Sequence, residues 1–296
     1  MKKIGIRFSS NKLKRAIYTL KKVKDKLNKG VIFDIFTPKK ATYLKMDKPL
    51  LYNIPSSVSS NSSSIPFVLY KTGEPEEENL PQEIKDLFRT IEKENINLKI
   101  QYFSDKGRLD FIKDHFDNNV VEAYKKLKPG AYRADLFKYC VLYINGGIYG
   151  DLTQTYLEPF SEFIDLENDE IVLVRDYVNQ SQTTNGICPG FIASRKKNLI
   201  LKNAIEKVVK NVENKNYGIN SLDPSGPYLF RRALQGYKGN YKLNLELNPF
   251  NHKMIRNIRT GKGIIITKLP NHDKLIGKNK STDYHELWVN KDIFID

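Results

Sequence analysis

Asp135, Lys138 and Asp151 are the residues whose types and spacing could do chemistry together. Asp135 and Lys138 are one helical turn apart, so a helix presents them on one face. Asp151 follows a Gly146-Gly147 turn and a short apolar run, Ile148-Tyr149. Two carboxylates beside an ammonium suit a divalent cation carrying phosphate oxygens. Hard cations take oxygen ligands, and magnesium-type sites use one or two carboxylates together with the substrate's phosphates. The same helix–Gly-Gly–strand–Asp unit also serves as plain architecture, so spacing alone leaves both readings open.

The elements that must position these groups are legible around them. From Ala134, the apolar residues Leu136, Phe137, Tyr139, Cys140, Tyr143 and Ile144 recur at three- and four-residue steps, a buried helical stripe. Asn145-Gly146-Gly147 stops that helix, and Ile148-Tyr149 then reads as a strand with Asp151 at its carboxyl end, where open α/β sheets bind ligands. Upstream, 65–73 reads as a buried strand, Leu80-Pro81 opens a helix, 97–103 alternates as a strand, and helices cover 105–115 and 120–127. Downstream, 170–175 and 190–194 read as strands and 196–212 as a helix. The sequence Asp223-Pro224-Ser225-Gly226-Pro227 opens another helix. This alternation predicts an α/β domain.

The stretch 131–160 resembles the sugar-nucleotide-binding region of Och1-like glycosyltransferases (family 32), the class that carries an Asp-x-Asp motif. The resemblance rests on Arg133, Ala134, Asp135, Lys138, Tyr139, Leu142, Gly146, Gly147, Ile148, Tyr149 and Asp151. It implies a GT-A-like nucleotide-diphospho-sugar transferase fold: a mixed, mainly parallel sheet flanked by helices. It also implies a glycan-biosynthetic hexosyltransferase that retains anomeric configuration, moving a hexose from a nucleotide-diphosphate sugar to a hydroxyl of a glycan, protein or small acceptor. In that class Asp151 would contact Mn²⁺ or Mg²⁺, Asp135 would bond donor-sugar hydroxyls, and Lys138 would hold the sugar or phosphate. Tyr149 would flank the ribose, with Arg133 assisting the phosphates or forming a salt bridge. Tyr70 and Thr72 stand at the strand end that faces the nucleotide, Asn185 at the donor sugar, and Gly226 toward the acceptor. His285 and Trp288 match a pair that closes over the diphosphate. Two positions depart from the pattern. Lys138 replaces an arginine and loses its bidentate fork. Thr153 replaces the second aspartate, leaving a neutral oxygen as the other metal ligand.

Composition bounds the alternatives. The chain has 296 residues, is 40% hydrophobic and 11% aromatic, and carries a net charge of +15. Residues 1–64 contain 15 Lys/Arg against 3 Asp/Glu, and so hold +12 of that charge. They are expected to form a basic extension, or a small strand–helix–strand unit, ending in the serine-rich stretch 56–64. The glycosyltransferase domain is expected over 65–296. An anionic membrane surface or other polyanion is an expected partner of the basic part only. No apolar run approaches a membrane span, no signal-peptide core is present, and only Cys140 and Cys188 occur, so a cytoplasmic location, in solution or peripheral to a membrane, is expected. Zinc-ligand spacings, P-loops, dinucleotide-binding glycine loops and hydrolase elbows are absent. Two other classes remain: a catalytically silent sugar-nucleotide or glycan-binding module, and a polyanion-binding protein acting through its N-terminus.

Overall fold

The computed structural model describes residues 64–178, 184–248, 251–276 and 283–295. The expectations for the basic extension and its serine-rich linker fall, through residue 63, outside the described residues.

Among the described residues, nine strands form one sheet in the order β2-β1-β3-β6-β5-β7-β8-β9-β4. The first strand, β1 (Val68–Thr72), is followed by α1 (Gln82–Glu94) and β2 (Lys99–Phe103), and β2 pairs parallel to one side of β1. Then come α2 (Asp105–His115), α3 (Asn118–Lys126), α4 (Gly130–Asn145) and β3 (Gly147–Gly150), which pairs parallel to the other side of β1. The chain thus changes sides of β1 between β2 and β3. The carboxyl ends of β1 and β3 flank that switch point, the place where open α/β sheets bind ligands.

The remaining elements are β4 (Thr155–Tyr156), β5 (Ile171–Val178), β6 (Thr184–Ser194), α5 (Leu199–Glu213), α6 (Pro227–Leu234), β7 (Lys242–Asn248), β8 (Asn251–Asn257), β9 (Gly263–Ile266), α7 (His272–Leu275) and α8 (Tyr284–Val289). The sheet is mixed and flanked by helices, as expected for the fold class. The expected parallel majority is corrected: β1–β2, β1–β3 and β5–β7 are parallel, whereas β3–β6, β5–β6, β7–β8, β8–β9 and β4–β9 are antiparallel. The physical reason is connection length. Short links such as 258–262 between β8 and β9 can only reverse the chain, because a parallel return needs a long crossover.

Side chains alternate across the sheet and bury both faces. Tyr70, Tyr149, Leu173 and Ile192 join one core with α4, α5 and α6, while Leu69, Ile148, Val172, Val174, Phe191 and Ala193 join a second on the other face. On α1, Ile84, Leu87, Phe88 and Ile91 face inward at the helical spacing read from sequence. Helix α4 begins one turn earlier than Ala134. The Pro129 carbonyl accepts from the amides of Tyr132 and Arg133, so the first turn closes without a side-chain cap.

The glycine pair after α4 is sterically required. Gly146 has φ +67°, and a Cβ there would lie 2.8 Å from the Lys196 amide and 3.0 Å from the Ser194 carbonyl. Gly147 has φ +102°, and a Cβ there would meet the Tyr70 ring at 2.9 Å. Only glycine adopts both conformations with backbone packed so closely on either side. The turn lets β3 slot between β1 and β6, which returns Asp151 to the level of the first turns of α4.

Candidate active site

Helix α4 descends and β3 ascends, so residues early in the helix meet the end of the strand. Lys138 Nζ lies 3.0 Å from Asp135 Oδ1 and 3.6 Å from Asp151 Oδ1, and stands 4.6 Å over the Tyr149 ring. The other Asp135 oxygen accepts a 2.8 Å hydrogen bond from the Ser225 hydroxyl, in the loop before α6. Tyr139 reinforces that loop by donating to the Ser225 carbonyl at 2.9 Å. Gly226 follows, and a Cβ there would come within 2.9 Å of the Leu222 carbonyl, so glycine lets the loop close on Asp135. The sequence-predicted trio is thus assembled, and Asp151 is its open member. The Asp151 side chain is 46% exposed, whereas those of Lys138 and Asp135 are 5% and 12% exposed.

Burial sets the electrostatics. Desolvation disfavours charge on Lys138, yet Tyr149, Asp135 and Asp151 around it hold its pKa well above the usual lysine range. At Asp135, burial raises the carboxyl, and Lys138 and the Ser225 hydroxyl offset part of that rise. Tyr149 is pushed up by burial and stays a neutral phenol.

A second lysine, which the motif does not include, lies on the opposite face of the sheet. Lys71 is fully buried. Its ammonium donates to the Asp151 carbonyl at 2.8 Å and to the Tyr156 hydroxyl at 3.2 Å, and it lies 5.1 Å from the centre of the Tyr156 ring. Burial pushes its pKa down to about 7, against the pull of Asp151's charge. Gln154 completes the support of this turn by donating to the Gly190 carbonyl at 2.8 Å, and that same carbonyl accepts from the Asp151 amide at 3.1 Å. A Cβ at Gly190 would lie 2.8 Å from Asp151 Oδ2, so bare backbone on β6 leaves the carboxylate its room.

The other candidates are placed as follows. Thr72 is buried. It donates to the Phe103 carbonyl at 3.0 Å and accepts from Arg108 at 2.9 Å. Arg133 pairs with Glu74 and Asp105, each at 3.2 Å, so its charge is committed to a salt-bridge network. Tyr70 is a core residue, 3% exposed and packed against Phe103. Asn185 lies on β6 opposite Tyr177, and its side chain is outside the described residues. His285 bonds Ser221 at 3.1 Å, and Trp288 donates to the Tyr217 carbonyl at 2.6 Å. That pair therefore anchors α8 to the loop that leads to Ser225.

Thr153 bears on the expected metal. It is completely buried, and its hydroxyl lies 2.6 Å from His272 Nδ1. Among the described residues no group of three or more His, Cys, Asp or Glu gathers as a cation site. The donor set is one open carboxylate with an ammonium 3.6 Å away, a second carboxylate committed to Lys138 and Ser225, and a hydroxyl occupied by histidine. Such a set fits a divalent cation poorly, because its one open carboxylate is already faced by an ammonium.

Sequence reasoning left three contributors unassigned. Lys71 had a signal, since it is a lysine inside 65–73, which reads as a buried strand. Ser225 sits in a recognised loop but bonds Asp135. Arg108 has no local signal, because nothing in 105–115 marks it as buried.

Residues 81–171 match the family model described as glycosyltransferase sugar-binding region containing DXD motif. The segment that brings Asp135, Lys138 and Asp151 together is that region, and the chain is a glycosyltransferase. Among curated relatives, an uncharacterized glycosyltransferase L373 of Acanthamoeba polyphaga mimivirus is 25% identical over 181 residues, covering 61% of this chain and 68% of the relative. An initiation-specific alpha-1,6-mannosyltransferase of Candida albicans is 24% identical over 198 residues, covering 56% of this chain. The alignment spans 50% of that mannosyltransferase. Among solved structures, the PaToxG glycosyltransferase shares 18% identity at a TM-score of 0.44, covering 59% of this chain and 69% of that one. The family's Asp-x-Asp motif is generally a divalent-metal feature, and this chain has Asp151-Leu152-Thr153 in its place. No helix among the described residues is long and apolar enough to cross a membrane.

Proposed function

We propose that this glycosyltransferase takes a hexose from a nucleotide-diphosphate sugar and transfers it, with retention at the anomeric carbon, to a hydroxyl of a glycan, protein or small acceptor. The observation that carries the reading is the convergence of Asp135, Lys138 and Asp151 at the switch point of the sheet. In the transfer, the acceptor oxygen bonds to the anomeric carbon as the bond to the β-phosphate oxygen breaks, and the acceptor's proton leaves with the departing nucleoside diphosphate. The barrier lies in the negative charge that develops on that phosphate, so fixed cations aimed at it contribute most.

In this reading Asp135, oriented by Lys138 and Ser225, accepts from donor-sugar hydroxyls. Lys138 faces the phosphate as a point charge. Asp151 holds Lys138 from the open side and meets the donor directly, and Tyr149 walls the nucleotide. Gly226 keeps the loop before α6 close to the sugar. The support is chemical: a buried, charged lysine between two carboxylates is costly to fold and repays that cost where an anion must bind.

The test is a panel of UDP-, GDP-, CMP- and TDP-sugars, read as release of the nucleoside mono- or diphosphate with and without added glycan acceptors. Turnover with one donor, lost in Asp135→Asn, supports the reading. A donor that binds but is neither hydrolysed nor transferred under any condition would establish the silent binding module instead.

A further inference from the structure

The charge balance at Asp151 differs from that of a metal site, and this difference has a consequence for the donor. On one face of the sheet the Asp135 and Asp151 carboxylates meet the Lys138 ammonium, and on the other Lys71 donates to the Asp151 backbone carbonyl. A divalent cation drawn to Asp151 would meet Lys138 at the same carboxylate and Lys71 behind the Asp151 carbonyl. Like charges so close in a buried setting repel strongly. The Thr153 hydroxyl, which would have to offset that repulsion, is neutral and lies against His272. A diphosphate meets the opposite field. Lys138 lies 3.6 Å from the half-exposed Asp151 carboxylate, and its fixed charge attracts an anion there.

We propose that lysine charge takes the place of the divalent cation in this chain: Lys138 contacts the donor's diphosphate, the buried Lys71 supports it through the Asp151 turn, and donor binding proceeds without metal. The inference rests on the nucleotide-sugar reading above. It assigns Lys71 as a positioning residue, since its ammonium touches the Asp151 backbone and Tyr156 and is fully buried.

The experiment is isothermal titration of the full chain with UDP and with GDP, each in EDTA and in millimolar MnCl₂, alongside Mn²⁺ paramagnetic resonance of the same mixtures. The expected result is that one nucleotide binds with dissociation constants within about threefold of each other in the two buffers. The resonance should show no Mn²⁺ bound beyond that held by the nucleotide alone. Lys138→Gln should weaken binding about tenfold or more in both buffers, the loss of a charge-assisted hydrogen bond. Thr153→Asp, which restores the second acid, should bind more tightly in MnCl₂ than in EDTA, whereas the native chain does not. Binding that disappears in EDTA and returns with Mn²⁺ would overturn the inference and leave the donor reading standing. No binding of either nucleotide in either buffer would overturn both.

Discussion

Two charge clusters stand at the ends of the neighbouring strands β1 and β3, and they are built differently. At β1, Arg108 is only 1% exposed and donates to Thr72, Glu74 and Asp105. Arg133 pairs with the same two carboxylates, and Tyr124 donates to Asp105 at 2.7 Å. Although burial disfavours its charge, Arg108 is held charged by these neighbours. Every cation there has anions committed to it. At β3, Lys138 holds Asp135 tightly but meets Asp151 at 3.6 Å, and the Asp151 carboxylate stays about half exposed. The first cluster spends its electrostatics on fastening α2 and α4 to the end of β1. On the proposed reading, the second keeps part of its field for a ligand. Buried charges alone do not mark a site, whereas a buried cation beside an open carboxylate does.

The sharpest way to break the comparison is Asp151→Ala. Turnover should fall about 10²–10³-fold, the scale of losing one preorganised electrostatic group. The melting transition should hardly move, because a half-exposed carboxylate contributes little to folding. Steady-state rates and a thermal melt of one preparation check both halves. A large stability loss would place Asp151 with the structural cluster.

Arg108→Met should give the converse. Removing one partner from a buried ion pair costs about 3–5 kcal/mol, and about 2–4 kcal/mol is expected here because Glu74 and Asp105 are partly solvated. Urea denaturation measures that loss, and turnover per folded molecule should change far less than in Asp151→Ala.

These two clusters were unequally legible in the sequence. Asp135, Lys138 and Asp151 fall at spacings that helix geometry and a glycine turn translate directly into proximity, and the glycine pair is required because a Cβ at either position would strike its neighbours. The Arg108 cluster joins residues 72, 74, 105, 108, 124 and 133, which come together only once β1, α2, α3 and α4 have packed. Lys71 shows the same limit in a single residue. Its alternation with Tyr70 is readable as a strand, but which face holds an ammonium depends on Tyr156 and Asp151 arriving from distant sequence. The sheet's antiparallel half was hidden for a related reason. Pairing direction follows from connections, and the period-2 pattern of Leu243, Leu245 and Leu247 is identical in either direction.

Lys71 yields a smaller, pH-dependent effect. An unfolded lysine titrates near 10.4, whereas in the folded chain burial brings Lys71 to about 7. Between those values the unfolded chain binds the extra proton, so stability rises with pH. The cost of burying the charge is fully present below about pH 7 and is relieved progressively above it. Relative to Lys71→Met, the native chain should therefore gain stability from pH 7 toward pH 9, with a slope of at most about 1.4 kcal/mol per pH unit. Parallel urea melts across that range read the difference, and a flat difference would mean that Lys71 keeps its proton.

The smallest effect separates membership of the closed cluster from dependence on it. Glu74 is 51% exposed and accepts from both Arg108 and Arg133. Asp105 also meets both arginines, and it further accepts from Tyr124. Burial pulls that carboxyl up, but Tyr124, Arg108 and Arg133 together hold it below the usual aspartate range. Neutralising Glu74 therefore leaves each guanidinium one carboxylate, and Glu74→Gln keeps a carbonyl oxygen to accept from Arg108. The expected loss is within about 0.5 kcal/mol, the range of exposed ion pairs. Asp105→Asn should cost more, since it removes the anion that all three donors share. If the two substitutions cost the same in urea, the charges at β1 would act as independent pairs, and the contrast with the open cluster at β3 would rest on exposure alone.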